Sequence, residues 1–151
     1  MKVLMVCLGN ICRSPAAQGV LEFLARKHRL DIQVDSAGTA AYHIGKRPDA
    51  RSIAALAEIG IDISQQRARQ VSRHDFEEFD WILAMDRDNL NNLAQLAPAQ
   101  ERAKIALLGE YRNGLNGGEV ADPYWGEAAE FAQMREHLMV LLQDFISEIK
   151  S

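Results

Sequence analysis

The opening residues constrain this chain more than any others. Lys2–Val6 reads KVLMV, a short apolar run with no polar alternation. Such a run suits a strand buried on both faces. A glycine-containing turn follows, and then Ala17, Val20, Leu21 and Leu24 recur at the spacing of an amphipathic helix. The same alternation continues. Ile32–Val34 reads as a second strand, with Ser36-Ala37-Gly38-Thr39 as the loop after it. Pro48 opens a helix striped by Ile53, Leu56 and Ile59 and ended by Gly60. Trp81–Ala84 is a third strand, followed by a helix on Leu90, Leu93, Ala94 and Ala97 that Pro98 closes. Lys104–Leu108 is a fourth strand. A last helix runs from about Glu127 to Ile149, with Phe131, Met134, Leu138, Leu141, Phe145 and Ile149 on one face. The expected fold is α/β and three-layered: a four-stranded parallel sheet with helices on both faces. Its 151 residues are expected to form one domain, 1–151.

Charge and cysteine usage exclude several classes. With 17 Lys+Arg against 21 Asp+Glu, the net charge is −4. Such a chain has no general field to hold nucleic acid or an anionic membrane surface, so a bound anion needs a local device. No apolar run approaches the roughly 18 residues of a membrane span, and Met1–Val6 is too short for a secretory signal. The expected compartment is the cytoplasm, with no membrane insertion and no nucleic-acid partner. The two cysteines, Cys7 and Cys12, and four scattered histidines form no metal-ligand spacing. No metal or other cofactor is expected.

In a doubly wound sheet, ligands bind beyond the carboxyl ends of the strands. The first such turn reads Cys7-Leu8-Gly9-Asn10-Ile11-Cys12-Arg13-Ser14-Pro15. Ser14 is a candidate N-cap and Pro15 suits the first helical turn, so the helix N-terminus faces the loop. Successive backbone N–H groups of Leu8, Gly9, Asn10, Ile11 and Cys12 then form an anion nest. Arg13 adds a planar fork matched to phosphate oxygens. Cys7 lies at the bottom of the cup, where the helix dipole and Arg13 favour a thiolate nucleophile. Asn10 tolerates a left-handed backbone, and its amide can pin the loop. The Ser14 hydroxyl can donate to the sulfur as well as cap. No Gly-Lys-Ser/Thr follows, which argues against a nucleotide triphosphate. Cys12 has two readings, core packing or a disulfide partner that shields Cys7 from over-oxidation.

Cysteinyl-phosphate chemistry needs a proton donor for the leaving oxygen. Asp122, in Ala121-Asp122-Pro123-Tyr124-Trp125, is the best candidate, on an irregular segment (111–125) where Pro and aromatics would stiffen and partly desolvate it. Its plain alternative is an Asp-Pro turn opener. Asp86 and Asp88 read as helix caps. Tyr42, Tyr124 and Trp125 are loop aromatics that together could wall a slot for a flat ring. Arg67, Arg69 and Arg73 read as a solvated basic face, with acidic peptide partners as the alternative.

These residues resemble the low-molecular-weight protein tyrosine phosphatases across essentially the whole chain. The resemblance rests on VCLGNICRSP, DSAGTAAYHIGKRPD, ARQVSRHDFEEFDWILAMD and ADPYWG. It implies Cys7 as nucleophile, Arg13 as phosphate clamp and Asp122 as general acid, then base. Asn10 and Ser14 hold the loop and thiolate, while Leu8, Ile11, Tyr42 and Tyr124 line the aryl slot. Trp125 stands where vertebrate members have a second tyrosine. Relatives specific for phosphoarginine carry Thr where this chain has Ile11, so Ile11 favours phosphotyrosine. Arsenate reductases on this fold need further cysteines that this chain lacks. The short form resembles bacterial members, which implies tyrosine-phosphorylated partners such as an autokinase of polysaccharide export. Monomer and weak dimer both stay open. A phosphocarrier would be ill served by a hydrolytic Asp122, and a phosphotyrosine-binding module would not need Cys7.

Overall fold

The computed structural model describes residues 1–98, 103–111 and 118–150. Four strands, β1 (Lys2–Cys7), β2 (Gln33–Gly38), β3 (Trp81–Ala84) and β4 (Lys104–Leu107), form one parallel sheet in the order β2-β1-β3-β4. Among the described residues, five α-helices connect and cover them: α1 (Arg13–Lys27), α2 (Ala50–Ala57), α3 (Asp75–Glu78), α4 (Arg87–Leu96) and α5 (Ala128–Lys150). The expected four-stranded parallel sheet is therefore present, with its phosphate-shaped loop after β1.

The unalternating β1 run is explained by what covers it. Val3, Met5 and Cys7 pack with Val20, Leu21 and Leu24 of α1, Leu56 of α2 and Phe131, Leu138 and Phe145 of α5. Leu4 and Val6 point the other way, into Phe76, Phe79 and Leu93. Successive side chains of a strand alternate faces, so a strand covered on both must be apolar throughout. The α5 stripe read from sequence is buried at Phe131, Met134, Leu138, Leu141 and Phe145, and Ile149 packs at its edge. Glu130 caps that helix by accepting the Glu127 N–H at 2.7 Å.

Strand β1 is central, and the chain leaves it toward β2 on one side and β3 on the other. The crevice that this reversal opens lies at the carboxyl end of β1. Two local expectations need correction here. Residues 36–38 are not a loop but the end of β2, held in parallel register from Lys2↔Gln33 to Cys7↔Gly38, while Ile32 precedes the strand. Their small size misled the reading. Gly38 is small because a Cβ there would lie 2.7 Å from the Leu8 carbonyl oxygen. Helix α1 begins at Arg13, after Cys12, with no side-chain cap. Ser14 is thus inside the first turn, and its hydroxyl is used elsewhere. The short helix α3 has no periodic signature and was not expected. Much of the segment 111–125 falls outside the described residues.

Gly38→Ala should destabilise the protein by about 1–3 kcal/mol, because the clash is with backbone rather than a yielding side chain. Urea unfolding measures this, and vanadate binding should weaken in parallel as Leu8 and Gly9 are displaced.

Candidate active site

Four connections meet above the carboxyl edge of the sheet. The turn after β1 supplies residues 8–12. The segment after β2 supplies Tyr42 and His43, the turn after β3 supplies Asp86, and the stretch leading to α5 supplies Asp122 to Gly126. They enclose a cavity of about 280 Å³ lined by Cys7, Leu8, Gly9, Ile11, Cys12, Arg13, Tyr42, His43, Asp122, Tyr124 and Trp125.

Cys7 is buried at its floor. Its Sγ accepts the Asn10 backbone N–H at 3.3 Å and lies 3.0 Å from the Ser14 Oγ. That hydroxyl already accepts the Asn10 side-chain amide at 2.8 Å, which leaves its own proton free for the sulfur. Asn10 makes the loop possible. Its φ of 57° turns the chain, its amide also donates to Ser36 Oγ at 3.0 Å, and its carbonyl accepts the Arg69 N–H at 3.0 Å. Arg69 is in turn bonded to Asp35 and Asp75. The solvated-face expectation therefore fails for Arg69, whose backbone N–H braces the loop while its guanidinium holds Asp35 and Asp75, and holds for exposed Arg67 and Arg73.

Arg13 is buried and donates through Nη1 to Asp86 at 2.6 Å and to the Val120 carbonyl at 3.1 Å. Burial works against its charge. The Cys7 sulfur and the Asp86 carboxylate outweigh that and raise its pKa above the ordinary value. Both Nη1 protons are thus committed, which leaves the Nε and Nη2 edge for a ligand. Asp86 does cap α4, through the Asn89 N–H at 2.7 Å, but its other oxygen fixes Arg13. The capping expectation was right and incomplete.

Asp122 sits across the mouth, with Oδ2 3.7 Å from Arg13 Nη2. Its Oδ1 accepts the Tyr124 N–H at 3.1 Å, so the turn-opening reading of Asp-Pro is met as well. Its side chain is 43% exposed, a partial desolvation to which Trp125, itself 91% exposed, adds little cover. Tyr124 and Trp125 pack edge to face at 4.9 Å, and Tyr42 stands 73% exposed on the facing rim. The aromatics form the lips of the slot.

Sequence reasoning missed the brace between the two loops. Asp49, the cap of α2, donates its N–H to the Ile11 carbonyl at 2.7 Å. Its carboxylate holds Arg51, which donates to the carbonyls of Tyr124 and Gly126 at 3.0 and 2.9 Å. The hydrogen bonds from Arg51 lower the pKa of Asp49 below its usual value. His43 was also overlooked, and it packs where a Cβ on Gly9 would meet it at 3.0 Å. Cys12 is buried in the same core cluster as Cys7 and also lines the cavity. Burial, then the nearby Asp49 carboxylate, push its thiol pKa far up, so it stays protonated.

The family model described as low molecular weight phosphotyrosine protein phosphatase matches residues 2–151. The low molecular weight phosphotyrosine protein phosphatase of Schizosaccharomyces pombe is 41% identical over 151 residues, spanning 98% of this chain and 96% of that protein. A crystal structure of a protein tyrosine phosphatase from Entamoeba histolytica, with Hepes in its active site, aligns with a TM-score of 0.93 at 36% identity. It covers 99% of this chain and 97% of that one. A crystal structure of a Drosophila arginine phosphatase aligns equally well, with a TM-score of 0.93 at 36% identity over 100% of this chain and 99% of that one. Agreement over so much of the chain leaves one conclusion: it belongs to the low molecular weight phosphotyrosine protein phosphatase family.

Proposed function

We propose that the chain hydrolyses phosphotyrosine and small aryl phosphates in two steps, through a cysteinyl-phosphate on Cys7 and without a metal. The observation that carries this is the convergence of Cys7, Arg13 and Asp122 on one cavity. The phosphoryl group enters the cup between the helix N-terminus and the free edge of Arg13, which hold its oxygens. The loop residues Leu8, Gly9, Asn10, Ile11 and Cys12 contribute backbone donors. Sulfur attacks phosphorus in line as the P–O bond to the phenol breaks, and Asp122 gives its proton to the leaving oxygen. In the second step Asp122 takes a proton from water, which displaces sulfur, and the Ser14 hydroxyl stabilises the departing thiolate.

The aryl ring lies against Leu8 and Ile11 between Tyr42, Tyr124 and Trp125. Phenol, with a pKa of about 10, leaves more readily than a serine alkoxide, and a slot with Cys7 at its floor and aromatics at its lips suits the longer side chain. A second reading, phosphoarginine hydrolysis, is favoured by the likeness to the Drosophila arginine phosphatase. Ile11 argues for phosphotyrosine. Cys12 serves as the redox partner: when peroxide oxidises Cys7 to a sulfenic acid, the Cys12 thiol attacks it, a disulfide forms and water leaves. The setting we propose is the cytoplasm, with tyrosine-phosphorylated proteins as substrates, among them a bacterial tyrosine autokinase of polysaccharide export. The protein acts there as a monomer or weak dimer. Among the described residues no helix is long and apolar enough to cross a membrane.

Cys7→Ser should abolish turnover of a phosphotyrosine peptide, and chelator should leave the wild type unaffected. Phosphoarginine assayed in parallel decides between the two substrates. Asp122→Ala should depress phosphotyrosine turnover by about 10²–10³-fold, and that of aryl phosphates with acidic leaving groups much less. Equal losses on both would remove Asp122 from the role of acid.

Cysteine labelling gives an independent check. Iodoacetate should modify Cys7 at the cavity floor and spare Cys12, whose thiol is kept protonated by burial. Inorganic phosphate should protect Cys7. Peptide mapping reads the outcome, and labelling of Cys12 first would contradict it.

A further inference from the structure

Beside the catalytic cavity lies a second depression of about 420 Å³, and the two share Leu8, Arg13 and Asp122. Its far wall is the start of α4, where Asp86, Asp88, Asn89 and Asn92 face it. The chemistry of this groove is the reverse of the phosphate cup. Arg13 is its one cation among the residues that line it, and that guanidinium is buried, with its Nη1 held by Asp86 at 2.6 Å and its other edge given to the phosphate cup in the proposed reaction. The carboxylates of Asp88 and Asp122 are exposed. A separate feature points to a visitor. Asn89 is 1% exposed, and its Oδ1 has no hydrogen-bond partner. A buried acceptor left without a donor is costly, and a donor entering the groove would satisfy it.

Among the described residues, no three acidic, histidine or cysteine groups converge as a metal site would require. The ligand that fits is an extended organic cation with several N–H donors. Because the groove opens off the catalytic cavity, a chain with its phosphorylated ring in that cavity can lay a neighbouring side chain in it. The phosphate dianion next door adds to the attraction. Resting on the phosphotyrosine phosphatase reading above, we propose that this groove is a specificity subsite for a lysine or arginine side chain flanking the substrate's phosphotyrosine. Its free carboxylate is Asp88, its buried acceptor Asn89.

The test is a set of phosphotyrosine peptides of equal length with Lys, Gln or Glu at successive positions on either side, compared by kcat/KM. At its best position Lys should exceed Gln by about three- to fivefold, with Glu below both, as expected for a partly exposed charge pair. The preference should shrink at about 1 M salt, where the screening length is about 3 Å. Asp88→Asn should remove the preference, and Asp88→Lys should turn it toward Glu. These are ratios within one preparation, so a partly unfolded variant still gives an answer. Equal kcat/KM for all wild-type peptides, with p-nitrophenyl phosphate still hydrolysed, would overturn the subsite alone. No turnover of any aryl phosphate by the wild type would overturn the phosphatase reading beneath it.

Discussion

The structure depends on Asn10 being satisfied in a place where no water reaches it. The chain must reverse at the end of β1 without burying unpaired polar groups. Asn10 is 2% exposed and does this with one residue: a left-handed backbone, two amide donations and one accepted N–H. Those bonds tie together the turn after β1, the end of β2, the first turn of α1 and the strip around Arg69. Because Asn10 donates to Ser14, the serine proton is turned toward Cys7. The loop is therefore built before any anion arrives, which is how a site stabilises developing charge without reorganising.

Arg13 occupies a comparable position in the electrostatics. A buried guanidinium needs a counter-charge, and removing it would leave a costly unpaired ion. Asp86 supplies that charge from the neighbouring strand end while using only Nη1, so the opposite edge stays available. Asp122, at 3.7 Å, is held more loosely. Arg13 is fixed and Asp122 is on a more exposed loop, a division suited to the proposed step in which the phosphate stays and the leaving group departs. The Asp49–Arg51 brace links that loop to the floor of the site through Ile11, Tyr124 and Gly126.

Much of this could be read from residues alone, for physical reasons. A strand covered on both faces must be apolar throughout, so β1 announced the parallel sheet, and the α5 stripe appeared at helical spacing. The placement of Cys7 and Arg13 in one cup was legible because a strand end, a tight loop and a helix start have few sequence solutions. Long-range hydrogen bonding was not legible. Asp86 reads as a cap because capping is local, whereas its bond to Arg13 spans 73 positions. Residues 36–38 read as a loop because Ser and Gly favour turns, yet small residues there let the phosphate loop approach β2. The outward orientation of Trp125 is likewise not encoded in local sequence.

The most direct measurement is acid-quenched mass spectrometry of the enzyme during turnover of an aryl phosphate. The peptide containing Cys7 should gain the mass of one phosphoryl group and lose it on further incubation with water. Phosphate found on another residue, or no phosphoenzyme despite a release burst of the phenol, would contradict Cys7 as the nucleophile.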